Sequence, residues 1–206
     1  MIIQFSVENF RSIMEPATLS LVASPLKYVP VATEDVIFDI DGMDVSLLKS
    51  AVILGANASG KSNVIKALEF FKNYIIDSFK NLQAGEEIGV EAFKLNTDSA
   101  KLPSSFEMIF ILDGYQYRYG MDVSREYVHG EWLYRKACRK RAKEVELFYR
   151  EEEDMKVHPS FSIATDLVNR KMIRNNALLL SAAAQFNDPT AVQIIKIGRA
   201  SCRERV

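Results

Sequence analysis

Cysteine is scarce in this chain: only Cys138 and Cys202 occur, far apart and with no Cys-x-x-Cys pair. That excludes a disulfide framework and a thiolate zinc site. The two histidines, His129 and His158, belong to no Cys/His cluster, which leaves them as structural or surface residues. No window approaches the roughly eighteen consecutive apolar residues of a membrane span. The start, Met1-Ile2-Ile3-Gln4-Phe5, has neither the basic opening nor the apolar core of a secretory signal. A cytoplasmic location with no membrane partner is therefore expected. Strong charge of either sign is also missing. The formal net charge of −1 gives no global pull toward nucleic acid, so any such contact must come from a local patch.

What the chain does have is core-forming material, 48% hydrophobic over 206 residues, enough for one good core or two small ones. It also has one sharp motif. Gly55-Ala56-Asn57-Ala58-Ser59-Gly60-Lys61-Ser62 fits the Walker A phosphate-loop pattern G-x-x-x-x-G-K-[ST] at every fixed position. The glycines let successive N–H groups turn inward toward phosphates, and the helix that follows adds the positive end of its dipole. In that reading Lys61 reaches the β- and γ-phosphates of ATP as the catalytic lysine, and the Ser62 hydroxyl ligates Mg²⁺. Upstream, Ala51-Val52-Ile53-Leu54 reads as a strand buried on both faces of a parallel sheet. Downstream, Ser62, Lys66, Glu69, Asn73, Asp77 and Lys80 recur at helical spacing opposite Val64, Leu68, Phe71, Ile75 and Phe79, predicting an amphipathic helix.

Elsewhere alternation dominates. Ile3, Phe5 and Val7 predict a half-buried strand that ends in Asn9-Phe10-Arg11-Ser12, and Leu19, Leu21 and Ala23 predict a second, followed by a loop over 24–30. Asp41-Gly42 and Asp113-Gly114 each sit between alternating runs and predict hairpins. The aromatic row Tyr115, Tyr117 and Tyr119 is read as sheet core rather than as a base-stacking surface. A third pair joins Glu131-Trp132-Leu133-Tyr134 to Val145-Glu146-Leu147-Phe148-Tyr149. Between them lie Arg135, Lys136, Arg139, Lys140, Arg141 and Lys143, which either grip a phosphate backbone or are simply solvated. Residues 81–87 form a polar connection, residues 174–186 favour a helix, and Asp188-Pro189 starts another that runs through Ile195.

A first strand, then Asn9-Phe10-Arg11-Ser12, then a loop reading Gly55, Asn57, Ser59, Gly60, Lys61, Ser62 and Asn63 resembles the heads of the SMC, RecF and OLD group of ABC-type ATPases. Ala58 stands where many members carry Gly. The resemblance implies an α/β P-loop NTPase of ABC/SMC-head type, a mixed sheet with an antiparallel β layer. It adds Arg11 and Ser12 as secondary candidates beside the nucleotide. Tyr117, Tyr119 and Gly120, then Glu131-Trp132-Leu133-Tyr134, then Asn176 to Phe186 resemble a narrower branch, the bacterial AAA-family or RloA-like ATPases of abortive-infection and anti-phage loci. The ABC-type group implies a head-to-head homodimer of the intact protein, which is then expected to control a nuclease or other effector partner or to act on DNA or RNA. The rival classes are a RecF-like DNA-repair ATPase and a non-catalytic nucleotide-sensing module.

Residues 197–206 change character abruptly and resemble a translated sequencing adapter read in a single frame. Residues 1–196 are then expected to be the N-terminal lobe of a longer head, with 23 basic and 26 acidic residues. The sequence contains no apolar strand ending in Asp-Glu and no Leu-Ser-Gly-Gly-type segment. Both are needed to position water and complete the metal site in the families it resembles. The chain by itself is therefore expected to hydrolyse nothing appreciable.

Overall fold

The computed structural model describes residues 1–24 and 36–203, without the side chains of 197–203. Most of the loop expected over 24–30 lies outside the described residues. In chain order the strands are Ile2–Glu8 (β1), Ala17–Ser20 (β2), Ile37–Asp39 (β3) and Ser46–Leu48 (β4). The helix Lys61–Asn81 (α1) separates these from Ser104–Leu112 (β5), Tyr115–Val123 (β6), Val128–Ala137 (β7), Val145–Glu151 (β8) and Asp154–Val157 (β9). Three helices close the chain: Ser162–Asn169 (α2), Leu179–Gln185 (α3) and Pro189–Arg203 (α4). Helix α2 and strand β9 were not foreseen, and α4 runs past Ile195, where the sequence expectation ended.

Seven strands form one sheet in the order β2-β1-β5-β6-β7-β8-β9, and every pairing is antiparallel. Strands β3 and β4 form a separate antiparallel ribbon around the turn at Gly42, where φ is 81°. The expected hairpins are in place; at Asp113-Gly114 the φ values of 48° and 75° give both turn residues the left-handed conformation that a tight two-residue hairpin requires.

The mixed sheet is corrected by this arrangement: among the described residues no parallel strand pair occurs. Ala51-Val52-Ile53-Leu54 is not a strand either, and Val52 and Leu54 are 81% and 87% exposed. The reason is geometric. A short apolar run becomes a buried strand only when neighbours supply hydrogen-bond partners on both edges and cover on both faces. Here the antiparallel sheet is built from other segments, and none of them pairs with residues 51–54.

Helix α1 lies across the inner face of the sheet. It has no Gly or Pro within it, and it buries Ala67, Phe71, Tyr74, Ile75 and Ser78. Of the expected face Phe71 and Ile75 are buried and Val64, Leu68 and Phe79 are half-buried, the buried stripe being turned toward Ala67, Tyr74 and Ser78. Phe71 is its centre, with ring centroids 5.5 Å from Phe5 and 5.8 Å from Tyr119, so one residue joins β1 and β6 to the helix. The buried Tyr117 and Tyr119 are core, as the alternation implied, whereas Tyr115 at the turn is 40% exposed. A register shift between Ile2 and Gln4 turns Ile3 to the opposite face, where it packs with Ile40 and Leu47 under the β3–β4 ribbon.

The helix expected over 174–186 is shorter, beginning at Leu179, because tertiary hydrogen bonds claim the preceding backbone. Tyr74 Oη donates to Asn176 O (2.8 Å), Asn176 Nδ2 donates to the carbonyls of Gln83 (2.7 Å) and Glu86 (2.9 Å), and Arg150 Nη1 donates to Ala177 O (2.8 Å). Glu131, fully buried on β7, then accepts from the N–H groups of Leu179 (2.6 Å) and Leu180 (3.0 Å) and from Tyr119 Oη (2.9 Å). A carboxylate supplied by the sheet thus serves as the N-cap that α3 lacks in its own sequence. Burial pushes the Glu131 carboxyl above its ordinary range, against the opposing pull of Arg150 and of the bonds it accepts.

Two outcomes follow. Replacing Glu131 with Ala strands two buried N–H groups and the Arg150 charge, so urea unfolding should show a loss of about 3–5 kcal/mol. The double variant E131L/R150M should lose markedly less than the sum of the two single changes. The second concerns Gly120, where a Cβ would stand 2.3 Å from Trp132 Cζ2. Gly120→Ala should displace the ring of the only tryptophan, shift its fluorescence emission, and cost about 1–3 kcal/mol in the same titration.

Candidate functional site

The site begins where β1 ends. Asn9 and Arg11 have φ of 52° and 53°, so the chain reverses sharply after the strand, and Asn is one of the few residues that tolerates that conformation. The Asn9 side chain is buried and holds the turn from within. Its Nδ2 donates to the carbonyls of Ser99 (2.8 Å), Leu102 (2.8 Å) and Pro103 (3.1 Å), while Oδ1 accepts from Phe93 N (3.2 Å). Ser104 Oγ donates to Asn9 O (2.5 Å). The turn is therefore locked to the segment that leads into β5.

This lock delivers Ser12 to the phosphate loop. Asn63 Nδ2 donates to Ser12 Oγ at 2.6 Å, and a Cβ on Gly60 would lie 3.2 Å from that same oxygen. Gly60 is the N-cap of α1 with φ of 89°, and Asn63 N donates to Gly60 O (2.8 Å). Ala58 also has a left-handed φ, 65°, a conformation glycine adopts without strain. Gly55, Ala56, Asn57, Ala58, Ser59 and Ser62 are exposed, and Gly60, Lys61 and Asn63 are half-buried. Lys61 Nζ donates to Gly55 O (2.7 Å) and Ala56 O (2.5 Å), with Ser59 Oγ at 3.4 Å, so the ammonium lies within the curl of the loop.

The chemical character of this corner suits an anion. The first turn of α1 contains no acid and Gly60 gives it no side-chain cap; with Asn63 N–H turned back to Gly60 O, the N–H groups of Lys61 and Ser62 are left to meet a ligand. With the dipole of a 21-residue helix behind them and the Lys61 ammonium beside them, they fit a phosphate chain. Ser62, exposed in the same turn, presents a hydroxyl suited to a divalent cation held by phosphate oxygens.

The two secondary candidates separate. Ser12 is brought against the loop. Arg11 is turned to Glu91, with Nη2 to Oε1 at 2.7 Å, and its backbone N–H donates to Glu91 O (2.8 Å). Sequence reading missed Asn9 and Glu91. The signal for Asn9 was the residue type itself, a left-handed-tolerant amide at the end of a strand; for Glu91 no local signal existed.

No curated protein matches this chain. A family model described as "AAA domain, putative AbiEii toxin, Type IV TA system" matches residues 50–191, a span that opens just before the phosphate loop and takes in α1, β5 to β9, α2 and α3. The turn that carries Asn9, Arg11 and Ser12 precedes it. With well over half of its length inside that match, the chain belongs to this AAA-domain family.

Proposed function

We propose that the chain is the nucleotide-binding lobe of an ABC/SMC-type ATPase of abortive-infection or anti-phage defence, taking ATP with Mg²⁺ at the corner formed by residues 55–63 and Ser12. The observation that carries this reading is the uncapped first turn of α1, reached through a loop with left-handed residues at positions 58 and 60 and flanked by the Lys61 ammonium. Such a corner has no evident structural use for its free N–H groups, whereas a triphosphate would satisfy them. The family description supplies the defence context, since it names a toxin of a toxin–antitoxin system.

Each residue then has a part. The backbone of Gly55, Ala56, Asn57, Ala58, Ser59 and Gly60 wraps the phosphates, Lys61 neutralises the outer ones, and Ser62 holds the metal. Ser12 and Asn63 fix the angle between the loop and the first turn, and Arg11 contributes once released from Glu91. Hydrolysis needs a carboxylate that orients water, which a further segment or subunit is proposed to bring. The exposed run Ala51-Val52-Ile53-Leu54, directly ahead of the loop, is the natural place for added strands to join. A second head across the nucleotide, with a nuclease or other effector responding to its closure, completes the proposal.

Titration of the chain with a fluorescent ATP analogue and Mg²⁺ tests the assignment. Lys61→Ala should weaken binding by about tenfold or more, a change of at least about 1.4 kcal/mol. Ser62→Ala should remove most of the Mg²⁺ dependence while the circular dichroism spectrum stays unchanged. Equal affinity for wild type and Lys61→Ala would overturn the reading.

A further inference from the structure

Three turns meet at the end of the sheet remote from the phosphate loop. The loop lies against the turn after β1, beside the start of β5, where Glu8 pairs with Ser105. Strand β5 runs nine residues from there to Leu112, so the far end is roughly 25–30 Å away. At that end the β7–β8 connection is braced on two sides. Cys138 N donates to Gly114 O (2.9 Å) in the β5–β6 turn, and the β3–β4 turn lies so close that a Cβ on Gly42 would be 2.3 Å from Cys138 O. Lys140 Nζ adds an ion pair to Asp44 at 3.0 Å.

We propose that this braced tip binds the phosphate backbone of a nucleic acid. Six basic residues fall within the nine positions 135–143, in a chain whose net charge is only −1. Arg139, Arg141 and Lys143 are exposed, and among the described residues no carboxylate pairs with them. The acids nearby in sequence do not cancel the cluster. Asp44 is taken by Lys140, Glu144 is taken by Arg118 (2.7 Å), and Glu146 accepts from Tyr134 Oη (3.0 Å), with Asp41 and Asp113 on the neighbouring turns. Solvation of a charged loop does not require its backbone to be fixed; here two other turns fix it, which holds the cationic groups in a set array.

Nucleic acid fits this array better than an acidic protein does. The Arg135 guanidinium stands 5.0 Å over the ring of Tyr115, which is 40% exposed. A planar cation on a solvent-facing aromatic ring offers a stacking surface for a base beside phosphate-binding charges. An acidic peptide has no use for the ring. The distance to the phosphate loop places the surface apart from the nucleotide site.

Fluorescence anisotropy with the full chain tests the proposal, using an end-labelled 20-nucleotide single strand and the corresponding duplex over a salt series. Wild type should bind at least one of them with a log K that falls linearly with log salt. The charge-reversal variant R139E/R141E/K143E should weaken binding at least about tenfold and reduce that slope by about 2–3, and R139Q/R141Q/K143Q should do so less strongly. Thermal melting and affinity for the fluorescent ATP analogue should not move, which separates loss of the surface from loss of the fold. Absence of salt-dependent binding by wild type, or an unchanged slope in both variants, would overturn the proposal. So would displacement of the labelled strand by poly-glutamate at matched charge concentration, which would assign the tip to an acidic protein.

Discussion

The packing of α1 against the inner face of the antiparallel sheet is the constraint on which everything else rests. Phe71 contacts Phe5, Phe106 and Tyr119, rings from three different strands, and Tyr74 and Ser78 carry hydrogen bonds to the segment ahead of α3. Because Gly60 caps α1, fixing the helix fixes the end of the loop, and the site inherits its position from the core, with the Asn63–Ser12 contact tying it to the turn after β1. Interiors pack densely enough that a shift of this helix would be felt along its whole length.

A polar knot inside the core serves the same end. Glu131, Tyr119, Tyr74 and Arg150 tie β6, β7 and β8 to α1 and to the start of α3. Burial raises the pKa of Tyr74 and of Tyr119, with the Glu131 charge adding to it, so both phenols stay protonated and keep their donor roles. Groups of this kind cost free energy to bury and return it only when each has its partner, so they specify one arrangement of sheet and helices more sharply than apolar contacts do.

Much of this was legible in the sequence because the signals were local. Alternation at Phe5 and Val7, two Asp-Gly turns, and the helical spacing of Phe71 and Ile75 each report a face that the chain buries. The loop at residues 55–63 was read from a different signal, a pattern of residue types set by backbone angles and phosphate chemistry, and the left-handed angles are seen at Ala58 and Gly60. What failed depended on distant partners. The run at residues 51–54 has the composition of a central strand but no strand pairs with it here. Leu178 and its neighbours have helical propensity, yet tertiary hydrogen bonds hold residues 174–178 in a turn. Glu131, read only as part of a strand, is buried where the N–H groups of Leu179 and Leu180 meet it. At the site, Ser12 followed from the resemblance, whereas Asn9 matters through carbonyls ninety or more residues away.

The pairing of β1 with β5 also has a temporal side. Phe5 lies opposite Met108, so the first strand to be synthesised waits for a partner about a hundred residues later in the chain. At translation rates of about 5–20 residues per second, that interval is on the order of 5–20 s. During it β1 has only β2 to pair with, and α1, whose Phe71 will cover Phe5, is complete only after residue 81. The same long-range closure that seats the phosphate loop therefore makes folding slow, as topologies dominated by distant contacts are, and leaves the nascent N-terminus reliant on whatever shields an unpaired apolar strand in the cell.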